Sequence, residues 1–260
     1  KRGELIVYTM GRMRDKTEIY SEKTNDLENI KIAILINEGS ASASEIIAGA
    51  IQDNDRGVII GRRSFGKGLV QEEIKMNDGS AIRLTTQRYY TPSGRSIQKN
   101  YEENNEEYFM EQFLRKESIL PDSLKYKTKL GREVYGGGGI NPDIKIQRDT
   151  TLNFKMINLI LINGWIRDFS MQYSDRNRNN IFKTTSSKEY LSKIEEILLS
   201  QFLKYIDNIQ AGISKKLNKA DKKYLKKQIK ASIARNLWSS EDYYRIIIED
   251  DEYVKAALNN

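Results

Sequence analysis

Apolar positions follow two textures along the 260 residues. Up to about residue 150, short apolar runs alternate with glycines and polar clusters, the pattern of strands separated by turns. Residues 4–8 are strand-like, residues 31–36 and 58–60 read as buried strands, and residues 69–76 as a further strand. A helix is expected over residues 42–53, and the resulting strand-helix-strand order implies parallel pairing through a right-handed crossover. Residues 81–90 alternate, with Ile82, Leu84 and Thr86 on one face and Arg83, Thr85 and Gln87 on the other. The turn signal Thr91-Pro92-Ser93-Gly94 ends that strand. Residues 100–125 are acidic and then helical in texture, and the glycine run 136–139 reads as a tight, permissive turn. Beyond residue 150 the spacing becomes helical. Phe154, Ile157, Leu161 and Trp165 recur at helical intervals, as do Leu191, Ile194, Leu198, Phe202 and Ile206. Another helix starts with Ile213, Leu217, Ala220 and Tyr224, residues 240–258 form a last one, and the polar residues 174–187 read as a loop. The pattern predicts an α/β fold, a mixed sheet core with flanking helices over 1–150, followed by a helical region over 151–260.

Composition narrows the chemistry mainly through two zeros. The chain has no His and no Cys. A Ser-His-Asp triad, a Cys nucleophile, a disulfide and a His/Cys zinc site are therefore excluded within it. Carboxylates, a lysine amine, or a hydroxyl activated by something other than histidine are what remains. The lack of Cys suits both a reducing cytosol and an envelope protein without disulfides. No stretch reaches the ~18 uninterrupted apolar residues of a membrane span. The chain moves straight from Lys1-Arg2-Gly3 into a strand-like run, which raises the expectation that it is cut from something longer.

Three constellations carry candidate chemistry. In Gly39-Ser40-Ala41-Ser42-Ala43-Ser44-Glu45, Ser42 and Glu45 have the spacing of a capping box, which by itself is a sufficient structural reason for both. The alternative is a serine nucleophile on a strand-to-helix turn, beside free N–H groups that stabilise a developing oxyanion. Spacing alone does not choose among the three serines. Gly61-Arg62-Arg63-Ser64-Phe65-Gly66-Lys67-Gly68 nearly matches a P-loop. Gly68 stands where the Mg²⁺-binding hydroxyl belongs, and the next residues look like a strand where a P-loop opens a helix. Lys67 is then either a surface lysine in a glycine turn or a base for a serine. A lysine acts as base only when neutral, which burial and nearby positive charge, here Arg62 and Arg63, favour. The run 215–235 holds nine Lys/Arg against one acid, Asp221, a net +8 beside +7 for the whole chain. An amphipathic helix with a solvated outer face accounts for it; a surface for nucleic acid or another anionic partner is the alternative.

Several of these pieces, in order, resemble the carboxyl-terminal processing peptidases, or tail-specific proteases. The resemblance runs from the serine-rich motif through Gln52-Asp53 and Phe65-Gly66-Lys67-Gly68-Leu69-Val70-Gln71 to Asp78-Gly79-Ser80-Ala81. It continues with Leu84-Thr85-Thr86, Tyr90-Thr91-Pro92-Ser93-Gly94-Arg95-Ser96-Ile97-Gln98 and Gly138-Gly139-Ile140-Asn141-Pro142-Asp143-Ile144. It covers roughly residues 1–147, only the C-terminal part of the protease core. What it implies is a crotonase-like core with Ser42 as nucleophile, Lys67 as base, Gln71 supporting the lysine and the Ala43 N–H in the oxyanion hole. Asp53 matches a family acid but lies about three helical turns beyond Ser42, roughly 16 Å along the axis, and is read as structural. The implied activity is a serine endopeptidase acting on protein or peptide substrates near their C-terminus. It implies no metal or organic cofactor and no nucleic acid partner, and points to the bacterial cell envelope or periplasm; a homo-oligomer is left open. The family's PDZ domain and the first part of its core, with a second oxyanion donor, lie upstream of this segment, so the fragment can hold both dyad residues and still be inactive. The rivals are a P-loop-like nucleotide-binding protein and a non-catalytic scaffold using the basic helix.

Overall fold

The structure is a computed structural model that describes residues 2–22, 26–100, 121–181 and 186–260. The chain forms two compact units, Lys1–Gln147 with Ala256–Asn260, and Arg148–Lys255. The first is mixed α/β and the second helical.

Two sheets carry the first unit. In one, β1 (Leu5–Met10), β2 (Thr17–Tyr20), β5 (Leu69–Lys75) and β6 (Ala81–Tyr90) lie antiparallel in the order β2-β1-β6-β5. In the other, β3 (Ala33–Ile36), β4 (Val58–Gly61) and β9 (Ile144–Lys145) lie parallel in the order β3-β4-β9. Helix α1 (Ala43–Asp53) makes the crossover between β3 and β4, so the parallel pairing anticipated from the strand-helix-strand order is present. A small hairpin joins β7 (Lys125–Lys127) to β8 (Glu133–Tyr135). Val7, Ile36, Ala48, Ile59, Tyr89, Ile97 and Ile140 form the core between these elements. Each large apolar side chain so buried contributes about 1.5–3 kcal/mol. Gly49 of α1 lets the helix approach closely, since a Cβ there would stand 2.7 Å from Thr91 Cγ2.

The alternation read in residues 81–90 does not become a buried and a solvent face along the whole strand. Residues 81–85 are exposed on both faces, and burial deepens only toward Tyr89. The cause is pairing: β1 accompanies β6 only from Arg88 to Tyr90, so the outer part of the β5–β6 hairpin has β5 as its sole strand partner among the described residues. Most of the expected helical stretch at 100–125 lies outside the described residues. Where description resumes, a 3-10 turn (Asp122–Leu124) leads into β7.

The second unit contains α2 (Phe154–Ile162), α3 (Trp165–Ile181), α4 (Ser187–Ile209), α5 (Lys219–Leu237) and α6 (Ser240–Ile248), and most of α7 (Glu252–Leu258). Phe154 and Trp165, periodic in sequence, belong to two helices, because Gly164 takes a left-handed φ of 68° between them. The polar stretch expected as a loop from 174 is helical through Ile181, with Ser174 buried. Tyr173 packs against the core there, so the helix has an inward face without an apolar run. The helix expected from Ile213 begins at Lys219, capped by the Asn218 side chain, which accepts the Asp221 N–H at 2.9 Å. The last expected helix is two, parted at Glu249–Asp251. Helix α5 turns Leu225, Ile229 and Ile233 inward, and Lys226 and Lys230 pair with Glu195 and Glu196 of α4. The lone acid of the basic run, Asp221, is fully buried and accepts N–H groups from Asn153 and Asn218. Among the described residues no helix is long and apolar enough to cross a membrane.

Asp53 has a structural role in the first unit. It forms an ion pair with Arg95 at 2.7 Å, with both side chains fully buried. Its other oxygen accepts the Ser93 N–H at 3.0 Å. Arg95 also donates to Gln52 Oε1 at 2.7 Å and to the Tyr135 carbonyl at 2.9 Å. Gln52 in turn donates to Asp143 and to the Asn141 carbonyl. Burial pushes the Arg95 guanidinium down from its ordinary value while Asp53 holds it up. Removing one member of a buried pair strands the other charge, which costs about 3–5 kcal/mol. Arg95→Ala is therefore expected to lower the free energy of unfolding by about that amount, measured by urea denaturation; a loss below about 1 kcal/mol would show that the pair does not hold α1.

Candidate active site

The pairing of β3 with β4 explains how residues far apart in sequence meet. Ile36 is in register with Gly61. Ser42 and Lys67 each lie six positions past that pair, on the loops leaving the carboxyl ends of adjacent parallel strands. The loops are laced together by backbone bonds, Arg62 N–H to the Ile36 carbonyl at 3.0 Å and Phe65 N–H to the Ser40 carbonyl at 2.9 Å. Arg62 also makes a two-pronged contact with Glu38 at 2.8 and 3.1 Å, which compensates its charge. The glycines permit the packing beneath: a Cβ on Gly139 would stand 2.4 Å from the Ser64 carbonyl oxygen, and both Gly66 and Gly139 have φ of 94°.

Ser42 is the N-cap of α1 and has φ 59°, ψ −119°. A non-glycine residue with positive φ is uncommon and costs on the order of 1–3 kcal/mol. Such strain on a strand-to-helix turn is how a nucleophile is presented in other hydrolases. The Glu45 arm of the capping box is made, with the Ser42 N–H donating to Oε2 at 3.0 Å. The Glu45 N–H donates to the Ser42 carbonyl at 2.9 Å. The Ser40 hydroxyl accepts the Asn37 N–H at 3.1 Å within the turn, and Ser44 is exposed on the second residue of the helix. Ala43 opens α1, so its N–H is among the first-turn donors that a helix cannot pair within itself.

Glu45 does far more than cap. It is fully buried, and its carboxylate gathers four donors from two loops. Oε1 accepts the Ser64 hydroxyl at 2.5 Å and the Gly66 N–H at 2.8 Å; Oε2 accepts the Ser42 N–H at 3.0 Å and the Lys67 N–H at 2.9 Å. One carboxylate oxygen thus holds the amides of both candidate dyad residues. Gln98 steadies the far side, accepting the Gly68 N–H at 2.8 Å through Oε1. From above, the Tyr89 hydroxyl reaches the backbone carbonyls of both Ser42 and Lys67, at 3.2 Å for Ser42.

The sequence-predicted residues are therefore only partly assembled. Ser42, Ala43 and Lys67 come together through their backbones. Gln71 sits exposed on β5, where the register with β6 shifts between Val70 and Gln71, and its amide donates to Thr85 Oγ1 at 3.5 Å. Among the described residues no hydrogen bond joins the Lys67 amine to the Ser42 hydroxyl or to Gln71. Catalytic hydrogen bonds are often long without substrate and tighten once it is bound. The segment after Lys67 is strand β5, so no helix N-terminus faces this loop as a P-loop requires. Sequence reasoning passed over the wider part played by Glu45, together with Ser64, Tyr89 and Gln98. The Ser-x-x-Glu spacing was the one available signal, and it pointed to a cap.

Glu45→Gln replaces an acceptor oxygen by an NH₂ group facing two of these donors. It is expected to lower the unfolding free energy by about 1–3 kcal/mol and to speed amide exchange at Gly66 and Lys67. Unchanged stability in chemical denaturation together with unchanged exchange would show that the carboxylate does not gather these loops.

Parts of the chain are similar to known proteins. The model for Peptidase family S41 matches residues 1–107, and a family of unknown function, DUF8443, matches residues 156–239. The chain is 55% identical to the carboxy-terminal-processing protease of Bartonella bacilliformis over 36% of this chain and 22% of that protein. It is 43% identical to the chloroplastic C-terminal processing peptidase of Tetradesmus obliquus over 38% of this chain and 21% of that protein. Among solved structures, the photosystem II D1 C-terminal processing protease matches 56% of this chain and 28% of that one, at 30% identity and a TM-score of 0.37. The chain thus spans about a fifth of the length of the curated relatives it matches. Over residues 1–107 the chain is similar to peptidase family S41, and over about a third of its length to carboxyl-terminal-processing relatives.

Proposed function

We propose that this chain carries the working serine and lysine of an endopeptidase that cleaves protein substrates near their C-termini. Neutral Lys67 takes the proton of the Ser42 hydroxyl, and Ser42 attacks the peptide carbonyl to form an acyl-enzyme. The protonated Lys67 then delivers a proton to the leaving amine, and water completes hydrolysis. The Ala43 N–H serves the oxyanion. Gln71 is the candidate support for Lys67, and swings from Thr85 to reach it. The observation that carries this reading is the strained backbone of Ser42, tied through Glu45 Oε2 to the backbone of Lys67. The family match supports it, and the relatives' names supply the processing role. The upstream PDZ domain and the remaining oxyanion donor belong to this proposal, as does work in the bacterial cell envelope or periplasm.

Ser42→Ala is expected to abolish cleavage of a denatured protein substrate, while Ser40→Ala and Ser44→Ala keep much of it. The assay uses a form of the protein that contains the upstream part of the core, with folding checked by circular dichroism. Near-normal turnover by Ser42→Ala would remove Ser42 as nucleophile.

Lys67→Arg is expected to be as damaging as Lys67→Ala, each lowering kcat by on the order of 10²–10⁴. Arginine keeps the charge but cannot give up its proton in a protein. An active Lys67→Arg enzyme would rule out the general-base role and leave only an electrostatic one.

A further inference from the structure

We infer that Tyr89 is a positioning residue of this site: its phenol brackets the backbones of Ser42 and Lys67 and so sets the distance between nucleophile and base. The inference rests on the Ser42/Lys67 reading and extends it to a residue on a third element. Tyr89 lies near the end of β6 and belongs to the core cluster that also holds Ala48 and Ile59. Its hydroxyl stands within hydrogen-bonding reach of the Ser42 carbonyl at 3.2 Å and of the Lys67 carbonyl. One O–H shared between two acceptors is a three-centre bond. The same two residues have their N–H groups on one oxygen of Glu45. Each residue is therefore held on both sides of its Cα, amide by carboxylate and carbonyl by phenol.

The arrangement is more than a satisfied buried tyrosine requires. A phenol can meet its hydrogen-bonding need with one acceptor, and the Ser42 carbonyl already accepts the N–H groups of Glu45 and Ile46. What the second contact adds is a link between two loops that no covalent neighbourhood connects. The strand carrying Tyr89 is itself anchored to the lysine loop, since the Tyr89 N–H donates to the Gly68 carbonyl at 3.0 Å. Burial first, and then the Glu45 carboxylate, push the Tyr89 phenol up from its ordinary value, so it remains a donor at alkaline pH. A base and a nucleophile held on separate loops need such a link, because a misplacement of about 1 Å can cost a hundredfold in rate.

The test is Tyr89→Phe, which keeps the ring in the core and removes only the hydroxyl, with Tyr90→Phe as the control one residue along. In the form of the protein that cleaves substrate, Tyr89→Phe is expected to lower kcat roughly ten- to a hundredfold with KM unchanged. In the chain described here, it is expected to speed amide hydrogen exchange at Ser42, Gly66 and Lys67 by roughly tenfold, ahead of the amides of β3 and β4. Tyr90→Phe leaves both readings as they were. Unchanged kcat in Tyr89→Phe beside an inactive Ser42→Ala overturns the bracket and spares the dyad. Exchange that rises evenly across the first unit, or a variant that fails to fold, also overturns it, because the hydroxyl is then a general support and not a link between the two loops. If Ser42→Ala keeps turnover, the dyad reading falls, and the exchange data still decide whether Tyr89 joins the loops.

Discussion

The buried carboxylate of Glu45 is the interaction on which the geometry of the first unit turns. A carboxylate out of water is tolerated only when its oxygens are supplied with donors. Here four arrive, from the turn before α1 and from the loop after β4. None of the four is optional in the usual sense, since each leaves part of a buried charge unanswered if it is lost. The requirement converts two loops, each free to wander by its own composition, into one rigid surface. Ser64 passes the constraint on: its hydroxyl donates to Glu45 and accepts the Ile140 N–H at 2.6 Å, which ties the glycine run into the same cluster.

Helix α1 is fastened at both ends by the same kind of chemistry. Glu45 lies in its first turn and Asp53 in its last, two helical turns apart on one buried face, with Gly49 between them against Thr91. The two acids solve different problems. Glu45 answers backbone and hydroxyl donors close to the strained Ser42, while Asp53 neutralises Arg95 and holds the turn at Ser93. The strain at Ser42 is sustained because its N–H and carbonyl are both held, the first by Glu45 and the second by helix amides and Tyr89. A chemically interesting residue can then keep an unfavourable conformation without loosening the element it begins.

The second unit is built on different terms. Its core is a continuous set of apolar side chains, with Phe169 meeting Phe202 edge to face at 5.4 Å between ring centres. The lysines that stand out in the sequence there are partly used in pairs with Glu195 and Glu196, and Asp221 is spent on capping. These are the marks of an amphipathic helix in a bundle, in keeping with the plainer of the two readings of the basic run.

The sequence by itself determined the local alphabet of this protein. Short apolar runs marked β3 and β4, alternation marked β6, the strand after Gly68 argued against a P-loop, and the absence of histidine in the chain excluded a Ser-His-Asp triad within it and left a lysine as the obvious base for a serine. It also marked three serines without ranking them, and it read Glu45 as a cap, because spacing along one helix is a local property. Only the tertiary structure decided that Ser42, alone of the three serines, carries positive φ, that Lys67 stands level with it across a parallel pair, and that Gln71 is turned to Thr85. It alone also gathered Ser64, Gly66, Lys67 and Tyr89 around those backbones. The physical reason is that hydrogen bonds to a buried carboxylate or phenol have no sequence period. They are settled by which loops the sheet register brings side by side, and register is set by burial over the whole unit and not by any one segment.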